Sequence, residues 1–170
     1  MAVQGGNAID HGFAYAGMVV DNQIENAISK LNKSDTDIIP AGVGVVSNGE
    51  DGAALPTNAS VAADFVGIVK RELNRAVLDG GTSGDNRQRD MTVVTHGVVY
   101  GQTIGTIGKD DNVFIVIGDG TTPNANLGLF TNAAGSGITA AVQVPNAKFV
   151  SADFLNPDGQ LAKISFGLGG

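Results

Sequence analysis

Met91–Ile117, MTVVTHGVVYGQTIGTIGKDDNVFIVI, is the stretch whose reading decides the fold. It contains two dense apolar runs, Thr92–Tyr100 and Asn112–Ile117, rich in Val, Ile, Thr, Tyr and Phe. β-Branched and aromatic side chains fit a pleated, half-buried surface. Between the runs lies Gly101–Asp111, too rich in glycine for a helix interior and carrying a Lys-Asp-Asp turn signal. Two strands joined through a polar connection form the core of a β fold, and nothing in this stretch has the look of a reaction centre.

Outward from it, further strand-like runs are predicted. Gly42–Val46 follows Pro40, whose missing N–H suits a strand start or an edge. In FVGIVKREL, Phe65, Val66, Ile68 and Val69 bracket Gly67, which marks a bulge. Further on come Asn126–Phe130, the alternating Ile138–Val144 leading into Pro145-Asn146-Ala147, then Lys148–Phe154 and Leu161–Phe166. Asn156-Pro157-Asp158-Gly159 is a turn signal between the last two. Eight to ten such runs predict a mainly β protein, an antiparallel β-sandwich or barrel-like domain.

The N-terminal part reads differently. Ile24, Ala27, Ile28 and Leu31 recur at helical spacing behind Asp21, which predicts at most one short helix within Asp21–Ser34. Residues 1–20 are glycine-broken yet carry Ile9, Phe13, Tyr15, Met18, Val19 and Val20. The organisation expected is an N-terminal arm with that helix over residues 1–36 and a β domain over 37–170. The arm either docks on its own domain or lays Phe13, Tyr15, Met18 and Val19 on a neighbouring subunit, and these four are the candidate partner-binding residues.

Composition excludes several classes. Gly reaches 25 residues, Trp is absent, and charged residues are only 16% of the chain, fewer than a typical soluble domain carries. With ten Lys and Arg against seventeen acids and a net charge of −7, no basic face for a phosphate backbone is expected. Cysteine is absent, so neither disulfides nor thiolate metal sites can form. No basic-then-apolar export signal opens the chain, and no window approaches the roughly 20 apolar residues of a membrane span.

Chemistry is equally sparse. The two histidines, His11 and His96, are far apart, and Ser83 in GTSG lacks the nucleophile-elbow pattern. The Asp- and Gly-rich Asp79–Asp90 and Gly118–Asn126 do not match calcium-loop spacing and read as solvated loops. Gly101–Gly108 has no phosphate-binding context. The expectation is a non-enzyme with no catalytic residue, cofactor or metal.

An ordered set of strand-borne pieces carries a resemblance. They are Gly17–Asp21 (GMVVD), Ile39–Gly42 (IPAG) with Gly44-Val45, Phe65–Ile68 (FVGI) and Val93–Tyr100 (VVTHGVVY). Gly128–Phe130 (GLF), Val144–Phe149 (VPNAKF) and Gly159–Ile164 (GQLAKI) complete it. In this order the chain resembles the capsid cement, or decoration, proteins of tailed bacteriophages. The resemblance implies a homotrimer on the outer surface of the virion head, clamping adjacent subunits of the major capsid protein after the shell expands. It implies no catalytic residues. A different class of function, a trimeric receptor- or glycan-binding head, would instead use loop residues such as Asp85, Arg87 and Asp119.

Overall fold

The computed structural model describes residues 14–20, 24–34, 38–72, 87–156 and 159–167. Among them are β1 Asn26–Asn32, β2 Gly44–Ser47, β3 Gly52–Ala54, β4 Phe65–Val69, β5 Asp90–Gln102, β6 Asn112–Val116, β7 Phe130–Thr131, β8 Ala141–Phe149, β9 Phe154–Asn156 and β10 Gly159–Phe166. Helical geometry among the described residues is confined to two single 3₁₀ turns, Ala62–Asp64 and Gly137–Thr139. The protein is mainly β, as expected.

The apolar run at Thr92–Tyr100 is the middle of β5, a 13-residue strand that belongs to two sheets. Its first half lies between β1 and β4, with Val93 opposite Ile28 on one side and Val69 on the other. From Gly97 onward it pairs instead with β10, from Gly97↔Phe166 to Gln102↔Leu161. The change of partners falls at Gly97, whose φ of +134° is one that L side chains rarely adopt.

The strands on the first side close on themselves. β1 pairs with β3, β3 with β2, β2 with β4, β4 with β5, and β5 again with β1, giving a five-stranded barrel. All contacts in it are antiparallel except the short parallel β1–β3 pairing. On the second side the order runs β5-β10-β8-β6-β7, and β7 returns to the end of β5 through the bridge Thr103↔Phe130. β9 stands outside both circuits, paired with β10. Closure of this kind satisfies backbone groups that an open sheet leaves at its edges.

Sharing strands between two circuits explains why β4 and the Val93-Val94 step of β5 are apolar on both faces. Val69 and Val93 enter a core cluster with Ile39, Val43, Val45, Ala53 and Met91. Their neighbours Ile68 and Val94, pointing the other way, join Val99, Ile115, Phe130, Phe149, Ile164 and Phe166 in a second. A strand buried on both faces has no polar side to alternate with. Phe65 links the halves, packing edge-on against Phe130 at 6.4 Å and Phe166 at 6.1 Å.

Three local expectations need correction. Residues 26–32 within the expected helix Asp21–Ser34 form β1, while 21–23 lie outside the described residues. Of the residues at helical spacing, Ile24 and Ala27 are exposed. A helix of about ten residues without a docking face is marginal, whereas an extended chain here pairs with both β5 and β3. Next, Pro145-Asn146-Ala147 does not separate two strands, because β8 runs through it. The register against β6 jumps there, from Phe114↔Gln143 to Asn112↔Lys148, and Asn146 has φ +54°. A bulge is a place where a strand tolerates proline. Finally, Gly42 lies in a turn before β2, which starts at Gly44. The bulge expected at Gly67 is present beside it: Val45 opposes Gly67 and Val46 opposes Phe65, so Val66 is the extra residue.

Candidate partner-binding surface

Of the N-terminal segment, residues 14–20 are described; Phe13 lies outside the described residues. This piece is added to the second half of β5. Gly17 N donates to Tyr100 O at 2.8 Å, Tyr100 N to Met18 O at 2.9 Å, and Val20 N to Val98 O at 2.9 Å. Val19 sits opposite Val99 and packs against the larger core cluster.

Small residues make this seat possible. Ala14 and Ala16 are buried while Tyr15 between them is 43% exposed, at the start of a turn closed by Met18 N donating to Tyr15 O at 3.0 Å. Gly17 has φ +74°, and a Cβ on it would stand 2.6 Å from Val69 O and 2.8 Å from both Arg71 N and Gly42 N. The Gly17 carbonyl accepts from Arg71 N at 2.9 Å, and Gly42 N donates to Val69 O at 2.8 Å. The N-terminal segment, the end of β4 and the turn before β2 thus meet backbone to backbone at one point. Further along, Asn156 Nδ2 donates to Ala14 O.

The candidate residues therefore have unequal outlets. Tyr15 presents its ring outward, with the Arg71 guanidinium 4.5 Å from the ring centroid, a cation–π contact that orients it. Met18 and Val19 are half-buried, so only part of each side chain faces outward. The loop residues Arg87 and Asp119 are both exposed but lie apart in the topology, Arg87 just before β5 and Asp119 after β6; Asp85 is outside the described residues.

Carboxylates in the loops act as staples. Asp153 Oδ1 accepts from Ile107 N at 2.6 Å and its Oδ2 from Gln160 Nε2 at 2.5 Å. Asp111 Oδ2 accepts from Asn132 Nδ2 at 2.7 Å and Gly108 N at 2.8 Å. Asp111, at the end of the β5–β6 connection, and Asp153, between β8 and β9, thus hold that connection, whose Ile107 is buried in the core. Hydrogen bonds to the charged form hold both below the usual carboxylate range, led by Ile107 N–H for Asp153 and the Asn132 amide for Asp111. Asp119 is lowered chiefly by the Thr121 N–H. Among the described residues no group of three His, Cys, Asp or Glu is placed to hold a metal ion. His96 is exposed on β5, its Nδ1 3.4 Å from Thr95 Oγ1.

The described residues thus form a mainly β protein of two closed circuits whose β5–β6 connection is held by Asp111 and Asp153. Residues 3–167 match the family described as structural cement protein (E217 gp24/Pam3 gp6). The chain belongs to this family, and it is a structural protein of the bacteriophage virion capsid. A chain from the solved structure of the capsid of Myoviridae Phage XM1 has the same fold, with a TM-score of 0.70 at 17% identity. That match covers 98% of this chain and 99% of the other. No curated protein gives a significant match.

Proposed function

We propose that this protein binds the outer surface of the phage head as a homotrimer and clamps neighbouring subunits of the major capsid protein, stabilising the expanded shell. The observation that carries this reading is the family match across residues 3–167, nearly the whole chain. A clamp gains from apolar area removed from water, at about 25 cal/mol per Å², offset by the cost of ordering the partners. The contact to the coat is assigned to the N-terminal segment through Phe13, Tyr15, Met18 and Val19. Tyr15 is the best placed of the described three, being outward and oriented by Arg71. Three linked copies raise apparent affinity, because the second and third contacts form at high effective concentration.

Co-sedimentation with mature coat shells, titrated to saturation, tests the reading. Saturable pelleting at a fixed ratio to coat subunits, lost with unexpanded precursor shells, is expected. Tyr15→Ser should weaken pelleting at unchanged fold. Absence of pelleting at micromolar concentration would sink the clamp.

A further inference from the structure

We propose that β9 is the strand edge on which a second copy of this chain adds, backbone to backbone. The proposal deepens the reading of the chain as a self-associating capsid protein and rests on it. β9 pairs with β10 and lies off the two closed circuits. Its central residue, Leu155, is 88% exposed, more than any other large apolar side chain among the described residues.

The direction of the backbone groups follows from the register. Gln160, which stands opposite Leu155, accepts from Thr103 N through its own carbonyl at 2.8 Å. Its main-chain groups therefore face β5. In an antiparallel pair, a residue turned away from its neighbour belongs to a non-hydrogen-bonded pair. Leu155 is thus also turned away from β10, presenting its N–H and C=O outward beside its side chain. Soluble proteins blunt such edges by keeping them short, as β9 is at three residues, and by placing charge or proline on them. Phe154-Leu155-Asn156 has neither charge nor proline.

Charge selects the occupant. Each copy carries −7, so two copies approach most easily where no carboxylate faces out. The strand neighbours of Leu155, Phe154 and Asn156, and its cross-strand partner Gln160 are all neutral. The adjoining Asp153 directs one oxygen at Ile107 N and the other at Gln160 Nε2. Asn156 also holds the Ala14 carbonyl, so the N-terminal segment is anchored beside this edge. Strand addition of this kind draws affinity from main-chain hydrogen bonds and specificity from the alternate side chain.

Sedimentation velocity of the full chain tests this, comparing wild type with Leu155→Asp, Leu155→Pro and the control Ile24→Asp. Ile24 is 80% exposed, so the control adds the same charge at a comparable apolar position away from β9. Proline at 155 removes an N–H that points out of the sheet, so the fold keeps its hydrogen bonds. Melting curves confirm folding of every variant. Self-association by the wild type and Ile24→Asp alike, weakened at least about tenfold in both Leu155 variants, is expected. Equal association of wild type and Leu155 variants overturns the proposal. A wild type that stays monomeric yet pellets with shells overturns it too, while leaving shell binding intact. If Leu155→Asp loses shell pelleting with self-association unchanged, the edge meets the coat and the second copy is ruled out.

Discussion

At the scale of single residues, the node at Gly17 separates close approach from backbone strain. Gly17 and Gly49 have nearly the same φ, +74° and +76°, but a Cβ at Gly49 meets nothing within 4 Å. Alanine at Gly49 should therefore cost only the left-handed backbone term, about 1–2 kcal/mol. Alanine at Gly17 adds a clash with Val69 O, Arg71 N and Gly42 N, all backbone atoms that cannot swing aside. Its cost should exceed that of Gly49→Ala by about 1–3 kcal/mol, read from denaturant melts of the two variants side by side. A second residue-scale expectation concerns acid. The folded-state pKa of Asp153 is depressed, so its contribution is fully present above its unfolded value of about 4. It is lost as pH falls through the lower folded value. Asp153→Asn keeps an acceptor for Ile107 N but cannot titrate. It should be less stable than wild type at pH 7, with the gap narrowing as pH drops below about 4. Urea midpoints measured from pH 7 to pH 2 would show this, and a gap independent of pH would contradict the staple.

At the scale of elements, β5 is the member on which both circuits depend. Val93 and Val94 are adjacent and fully buried, yet each belongs to a different core cluster. Truncating either to alanine should cost about 1.5–3 kcal/mol. Because the strand is common, both variants should lower one and the same thermal transition, with calorimetric and van't Hoff enthalpies still equal. Two resolved transitions, one moved by each variant, would mean that the circuits unfold separately. This double burial is legible in the sequence, since MTVV and FVGIV lack the alternation of a half-exposed strand. β1 is not legible in the same way. Ile24, Ala27, Ile28 and Leu31 sit at helical spacing by coincidence, and strand pairing with β5 decides their conformation. The site divides similarly. Tyr15 stands out as an aromatic residue between alanines in an arm, while Leu155 falls between a run ending at Phe154 and a turn starting at Asn156. Nothing local marks it; only the topology shows that β9 is left outside the closed circuits.

At the scale of the whole molecule, closure and charge are two parts of one solution. A chain with few charged side chains and much β structure risks edge-to-edge aggregation. Here the main sheets close on themselves, and a net charge of −7 disfavours contacts between copies except where the surface is neutral. Among the exposed apolar side chains of the described residues, Tyr15 and Leu155 lie on neighbouring segments, joined by the Asn156–Ala14 hydrogen bond. A protein that binds the expanded shell and not its precursor stabilises the expanded form by mass action. At a free concentration about a hundredfold above Kd, that amounts to about 2.7 kcal/mol per site. The heat-disruption temperature of mature shells should therefore climb with added protein well past the stoichiometric point, and that of precursor shells should not move. Tyr15→Ser should shift the climb to higher concentration by weakening each contact. Leu155→Asp should do so by uncoupling the copies, which removes the effective-concentration gain without touching the coat contact. Combining the two substitutions separates these effects: independent contributions add in free energy. A double variant no worse than Leu155→Asp alone would show that Tyr15 acts only within the same contact between copies.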